Sequence, residues 1–141
     1  MRRICCETAN SGKPIEQERW AFWGDWWIGP YETYCKNSCW VAVNNDEKVI
    51  GYLTGASSTM CFEIEKSLLF EPKIFVKFLK QRNQPDWRRM LRRSLFFEKG
   101  PFLSFSASTR MTILWQYPAH LHTNVSEEYR GFGVGSSLQT E

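Results

Sequence analysis

The sequence predicts an α/β (α+β) domain in which a sheet is flanked by helices, and three stretches carry that expectation. Cys-Trp-Val-Ala-Val at 39–43 and Val-Ile-Gly-Tyr-Leu at 49–53 flank the polar run Asn44, Asn45, Asp46, Glu47, Lys48, which is the pattern of a β-hairpin. Residues 120–125 alternate as a strand, then give way to the polar turn Ser126, Glu127, Glu128, a glycine-dense loop at 130–135 and a helix start at Ser136, Ser137, Leu138. Trp20, Trp23 and Trp27 recur at helical spacing, widened by Phe22 and Trp26.

At 141 residues with 43% hydrophobic and 23% charged side chains, the chain is long enough for one domain with a sizeable core. No apolar run reaches membrane-spanning length, so no transmembrane segment is expected. The N-terminus has the basic pair Arg2, Arg3 without a long apolar stretch behind it, which argues against a secretory signal and for a cytoplasmic location. The five cysteines, Cys5, Cys6, Cys35, Cys39 and Cys61, lack Cys-x-x-Cys spacing and read as reduced thiols rather than a disulfide frame or zinc site. A net charge of +3 suits an anionic small molecule without demanding nucleic acid.

Taken in order, residues 3–8 alternate weakly without a breaker and predict a short first strand, followed by a loop at 10–14. A helix is predicted over 15–28, stopped by Gly29-Pro30, with Tyr31 and Tyr34 in a second short helix. Its aromatic band reads as core packing plus one wall of a cleft, because the polar side carries Glu16, Glu18 and Asp25 instead of a basic row. After the hairpin, 62–70 and 74–79 show helical spacing, and Pro85-Asp86-Trp87 opens a further helix that Gly100-Pro101 closes. The segment 62–99 is strongly basic, through Lys73, Lys77, Lys80, Arg82, Arg88, Arg89, Arg92, Arg93 and Lys99. The basic residues interleave with apolar ones at core spacing, so a helical lid is preferred to a surface for RNA, DNA or acidic membrane, with Trp87, Phe96 and Phe97 as apolar contacts in that second case. Residues 111–115 read as a short strand or a buried loop.

The glycine loop is a phosphate cradle by construction: glycines at alternate positions let successive N–H groups turn toward one anion, and the helix that follows adds its unbonded N–H groups. A P-loop would need Gly-Lys-Ser/Thr where Gly135-Ser136 stands, and a dinucleotide fingerprint would need an acidic residue about 20 positions later, beyond Glu141. As written, Arg130-Gly131-Phe132-Gly133-Val134-Gly135 resembles the signature loop Gln/Arg-x-x-Gly-x-Gly/Ala of the GNAT superfamily of acyl-CoA-dependent N-acetyltransferases. The lead-in Asn124-Val125 to Glu128-Tyr129-Arg130-Gly131 and the hairpin Trp40-Val41-Ala42-Val43 to Val49-Ile50-Gly51 resemble that family in the same order. The word Tyr117-Pro118-Ala119-His120-Leu121-His122 resembles a subgroup that includes the acetyltransferase-like domain attached to some glycoside hydrolases, and a helical insertion after the hairpin fits that subgroup.

The resemblance implies a mixed, mainly antiparallel sheet with the helical insertion between its third and fourth strands, and acetyl-CoA as cosubstrate. It implies that backbone groups of Thr123, Asn124 and Val125 meet the pantetheine arm and the acetyl oxygen. It also implies that the amides of Gly131, Phe132, Gly133, Val134, Gly135 and Ser136 hold the pyrophosphate, with Arg130 as counter-charge. His120 and His122 share one face of the strand by its period of two, and stand where the family places a proton-relaying residue, so both are candidate general bases. The alternative, that either histidine only packs or hydrogen-bonds at the sheet, stays open. A His-x-His metal site lacks a third ligand at good spacing, so no metal is expected.

The family continues past the loop with a long helix and further strands, one bearing a tyrosine that protonates the thiolate. Against that pattern residues 1–141 read as a single, incomplete domain with its C-terminal strands missing. An open sheet edge would then invite a second copy or a completing chain, and weak or absent activity is expected of the isolated chain. The resemblance implies an unidentified small-molecule or protein amine as acceptor. The rival expectation is a non-catalytic CoA-binding or interaction module.

Overall fold

The computed structural model describes residues 1–80 and 106–140. They form two compact units, Met1–Ala56 with Leu121–Glu141, and Ser57–His120.

The first unit begins with a helix, α1 (Arg2–Thr8), and not with the strand that its weak alternation predicts. Three consecutive side chains, Ile4, Cys5 and Cys6, are buried, which a strand with one buried face could not achieve. Local contacts hold the helical alternative: Arg3 Nη1 lies 2.8 Å from Glu7 Oε1 at i,i+4, and the Thr8 hydroxyl donates to the Ile4 carbonyl at 2.8 Å. The helix predicted over 15–28 starts later than expected. A 3-10 turn (Gln17–Arg19) precedes α2 (Trp20–Trp27). Gly29-Pro30 does not end the helical stretch but opens α3 (Gly29–Tyr34), where a proline in the first turn gives up an N–H that would lack a partner anyway. Of the aromatic band Phe22 is buried, stacked on Trp26 at 5.6 Å, while Trp27 is exposed. Arg2 ties the three helices together: its guanidinium bonds Glu32 at 2.7 Å and pairs with Asp25. Gly24 permits that approach, since a Cβ there would lie 3.3 Å from Arg2 Cβ.

The hairpin forms where the sequence places it, as β1 (Cys39–Val43) and β2 (Val49–Ala56), antiparallel with Cys39 opposite Thr54 and Ala42 opposite Gly51. Asn44 builds the turn: its Oδ1 accepts from the N–H groups of Asp46 at 3.0 Å and Lys48 at 2.9 Å. The predicted strand β3 (His120–Val125) follows, and the sheet order is β1-β2-β3. β2 and β3 run antiparallel, with Ser126 N–H donating to Ile50 O and the Thr54 hydroxyl to His122 O. The described sheet is thus three-stranded and antiparallel, flanked by helices, and its hairpin supplies the first two strands instead of the second and third. Ile4, Cys5, Ile28 and Tyr52 form one buried cluster, backed by Met1, Trp23 and Val49.

The second unit contains α4 (Thr59–Glu65), a π-helical turn (Lys66–Phe70), α5 (Glu71–Lys80) and α6 (Ala107–Gln116). The first three confirm the helical spacing at 62–70 and 74–79. Residues 111–115, expected as strand or buried loop, lie instead within α6. Ser106 caps it by accepting the Thr109 N–H at 3.2 Å, and Trp115 is 82% exposed. The predicted helix from Pro85 to Gly100, with Arg82, Arg88, Arg89, Arg92, Arg93, Lys99, Trp87, Phe96 and Phe97, lies outside the described residues. Among the described residues no helix is long and apolar enough to cross a membrane.

The buried cluster makes the first unit sensitive to alkali. Burial, reinforced by Cys5, pushes the Cys6 thiol from 9.0 up to about 11. Burial likewise pushes the Tyr52 hydroxyl up, from 10.0. In the folded state both groups stay neutral after the unfolded chain would ionise. Their stabilisation is therefore complete below the unfolded values and is lost as pH rises. Denaturation midpoints should hold steady to about pH 9 and then fall, by roughly 2 to 3 kcal/mol for Cys6 alone by pH 11. A flat profile over that window would contradict neutral burial of the thiol.

Candidate active site

The loop after β3 is built by two left-handed glycines. A 3-10 turn (Glu127–Tyr129) leads into it, Gly131 has φ +83° and Gly133 φ +79°, and Gly133 is the N-cap of α7 (Val134–Leu138). Side chains other than glycine rarely tolerate that backbone. A Cβ at either position would meet nothing within 4 Å, so the dihedral angle alone selects glycine, and the space above the loop is open. Gly135 and Gly51 play other parts. At Gly135 a Cβ would rest at van der Waals distance from Thr123 and Val125, and at Gly51 it would crowd Val134 at 3.2 Å and the Asn124 carbonyl at 3.4 Å. The glycine in Val-Ile-Gly thus lets β2 lie close under β3 and the start of α7.

Among the described residues, no backbone carbonyl outside α7 accepts from the N–H groups of Gly131, Phe132, Val134, Gly135 or Ser136, and no side chain caps α7. Helix-opening N–H groups have no partner inside their own helix. Beneath them, Thr123 Oγ1 is buried and lacks a hydrogen-bond partner among the described residues. Phe132 is 78% exposed at the loop tip. Open space, N–H groups without an acceptor among the described residues and an unsatisfied hydroxyl fit a diphosphate-bearing cosubstrate.

Arg130 turns two of its donors to the protein itself. Its Nε donates to Val125 O at 3.1 Å and its Nη2 to Gly12 O at 3.5 Å. The guanidinium thereby clamps the end of β3 to the turn at 10–13, and sets the point from which the glycine loop departs.

The two histidines have different neighbours. His120 Nδ1 lies 2.8 Å from Thr59 Oγ1, with its ring edge-on to Phe62 at 5.2 Å. Burial lowers its pKa from 6.5, Lys66 acting in the same direction and Glu63 against it, so the imidazole is neutral at pH 7. His122 packs edge-on against Tyr52 at 5.9 Å, and its Nε2 lies 3.4 Å from Asn124 Nδ2. Asn124 Nδ2 also donates to Tyr52 Oη at 2.8 Å. Since both contacts use the amide nitrogen, Nε2 of His122 is the acceptor and its proton resides on Nδ1. Sequence reasoning missed Tyr52; the signal available was an aromatic hydroxyl in the middle of a central strand whose other residues, Thr54 aside, are apolar.

A separate cleft of about 410 Å³ opens within the first unit, lined by Arg3, Lys48, Ile50, Glu127 and Tyr129 among others. Arg3 is already engaged there, with Glu7 and the Val49 carbonyl. Among the described residues no cluster of His, Cys, Asp or Glu could hold a metal ion.

No family model matches the chain, and no curated protein matches it. A solved structure described as "Crystal structure of SsHAT" is similar in fold, with a TM-score of 0.69 over 97% of this chain at 22% identity. The chain spans 65% of the length of that protein. At this identity the likeness bears on fold alone. What it shows is the fold, a three-stranded antiparallel sheet flanked by helices.

Proposed function

We propose that the chain carries a GNAT-type N-acetyltransferase domain, in the subgroup with the Tyr-Pro-Ala-His-Leu-His strand, which moves an acetyl group from acetyl-CoA to a primary amine. One observation carries the reading above the others: the left-handed pair Gly131 and Gly133 exposes a row of unclaimed N–H groups directly after β3. Bound there, acetyl-CoA would supply an activated thioester. The chain's part is to hold the diphosphate through the amides of 131–136 and to align the thioester along the backbone of Thr123, Asn124 and Val125. A histidine then takes the proton that the amine must lose. Residues 62–80, which are helical, act in this reading as part of an insertion in the same domain.

Of the two histidines, His120 is the better base, because its imidazole is kept neutral by burial while the Nε2 of His122 is already turned to Asn124. The low-pH limb of kcat/KM is therefore expected below 6.5, and His120→Gln should cost about 100-fold in kcat with a smaller effect on KM. A limb that persists unchanged in His120→Gln would move the role to another group. Titration calorimetry with acetyl-CoA tests the cofactor reading itself. Saturable binding is expected, and its absence would leave an acetyltransferase-like fold without the cosubstrate. Binding without transfer to a panel of amines would favour the non-catalytic module.

A further inference from the structure

Each exposed position of α5 is either lysine or apolar. Pro72, Lys73, Val76, Lys77, Leu79 and Lys80 are exposed, whereas Ile74 and Phe78 are buried. At about 100° per residue the six exposed positions fall on one continuous side of the helix, opposite the buried pair. Val76 is 50% and Leu79 43% exposed, and the helix's one carboxylate, Glu71, falls on the inward side, half-buried. A face that merely met water would mix acids, amides and hydroxyls among its lysines. Bare aliphatic side chains between lysines are the pattern of a helix lying at an anionic lipid interface, where ammonium groups reach the phosphates and the aliphatic groups enter the headgroup boundary.

The charge of the surrounding sequence, which includes the three lysines of α5, points the same way. The unit Ser57–His120 carries eleven Lys and Arg against five Asp and Glu, a net +6, while the rest of the chain has seven against ten, a net −3. The same unit exposes Trp115 (82%) and Tyr117 (70%), the two residue types enriched where membrane meets water. We propose that the unit Ser57–His120 docks through the outer side of α5 on an anionic phospholipid surface. RNA fits less well: lysines would serve its phosphates, but Val76 and Leu79 would be left without a counterpart. The inference stands whether or not the chain transfers acetyl groups.

Co-sedimentation of the full chain with vesicles tests it, using phosphatidylcholine alone and phosphatidylcholine mixed with phosphatidylserine. Binding is expected on the anionic vesicles only, weakening with salt. Lys73→Gln with Lys80→Gln should reduce it roughly 30-fold. Val76→Ser with Leu79→Ser should reduce it further at salt concentrations that already screen the lysines. All four positions are exposed, and an unchanged circular dichroism spectrum shows that the variants fold. Equal binding to neutral and anionic vesicles, binding to neither, or capture of single-stranded RNA that ignores the Val76 and Leu79 changes would each overturn the proposal.

Discussion

Gly133→Val is expected to reduce acetyl-CoA affinity at least ten-fold, while Gly133→Asn stays within a few-fold of the parent. The residue sits at φ +79°, ψ 0° as the N-cap of α7. A β-branched side chain is a true outlier there, and the left-handed region costs an ordinary residue about 1 to 2 kcal/mol. Asparagine visits that region routinely, so it retains the backbone while adding bulk. Because a Cβ at Gly133 would meet nothing within 4 Å, that atom is accommodated in both variants, and the branching at the Cβ of valine sets them apart. Valine must instead turn the peptide, and with it the N–H groups that the diphosphate would meet. Calorimetry on both variants, with thermal denaturation as a control, reads the effect. Equal losses for valine and asparagine would mean that open space above the loop, and not its dihedral angles, governs binding.

The same contrast between backbone and side chain explains what was legible in the sequence. The hairpin and the strand, loop and helix after it could be read because turn residues and glycines encode local backbone geometry: Asn44 folds the turn with its own side chain, and Gly131 and Gly133 take positive φ. α1 could not be read by periodicity, since three adjacent apolar residues satisfy no period, although Arg3 and Glu7 at i,i+4 did signal a helix. Gly29-Pro30 was ambiguous in kind, because the same pair that stops one helix can begin the next. The apolar residues at 111–115 predict burial, whereas Trp115 and Met111 are exposed on α6. In the candidate site the left-handed glycines are local and therefore legible. The clamp from Arg130 to Gly12 and the bond from Asn124 to Tyr52 join residues far apart in the chain, and nothing in the residue types names those partners.

Tyr52, which makes that bond, carries the largest stability effect expected. Tyr52 is fully buried on the central strand, its hydroxyl accepting from Asn124 Nδ2 at 2.8 Å. Tyr52→Ala should cost about 3 to 5 kcal/mol, enough to unfold a marginally stable unit, because it empties the cluster of Ile4, Cys5 and Ile28. Tyr52→Phe keeps the ring and removes only the hydroxyl, so it should cost about 1 to 3 kcal/mol, the penalty of stranding a polar partner. Asn124→Ala should cost a similar amount, and the double variant should fall short of the sum by about 1 kcal/mol, because each single change already breaks the shared bond. Urea denaturation of the four proteins completes the cycle, and strict additivity would show that the bond contributes nothing to folding. The consequence reaches the site as well. Asn124 offers the same amide nitrogen to His122 Nε2, so Tyr52→Phe releases the amide that fixes the tautomer of that imidazole. The histidine's nitrogen resonances should then shift in Tyr52→Phe while the fold, read by circular dichroism, stays intact.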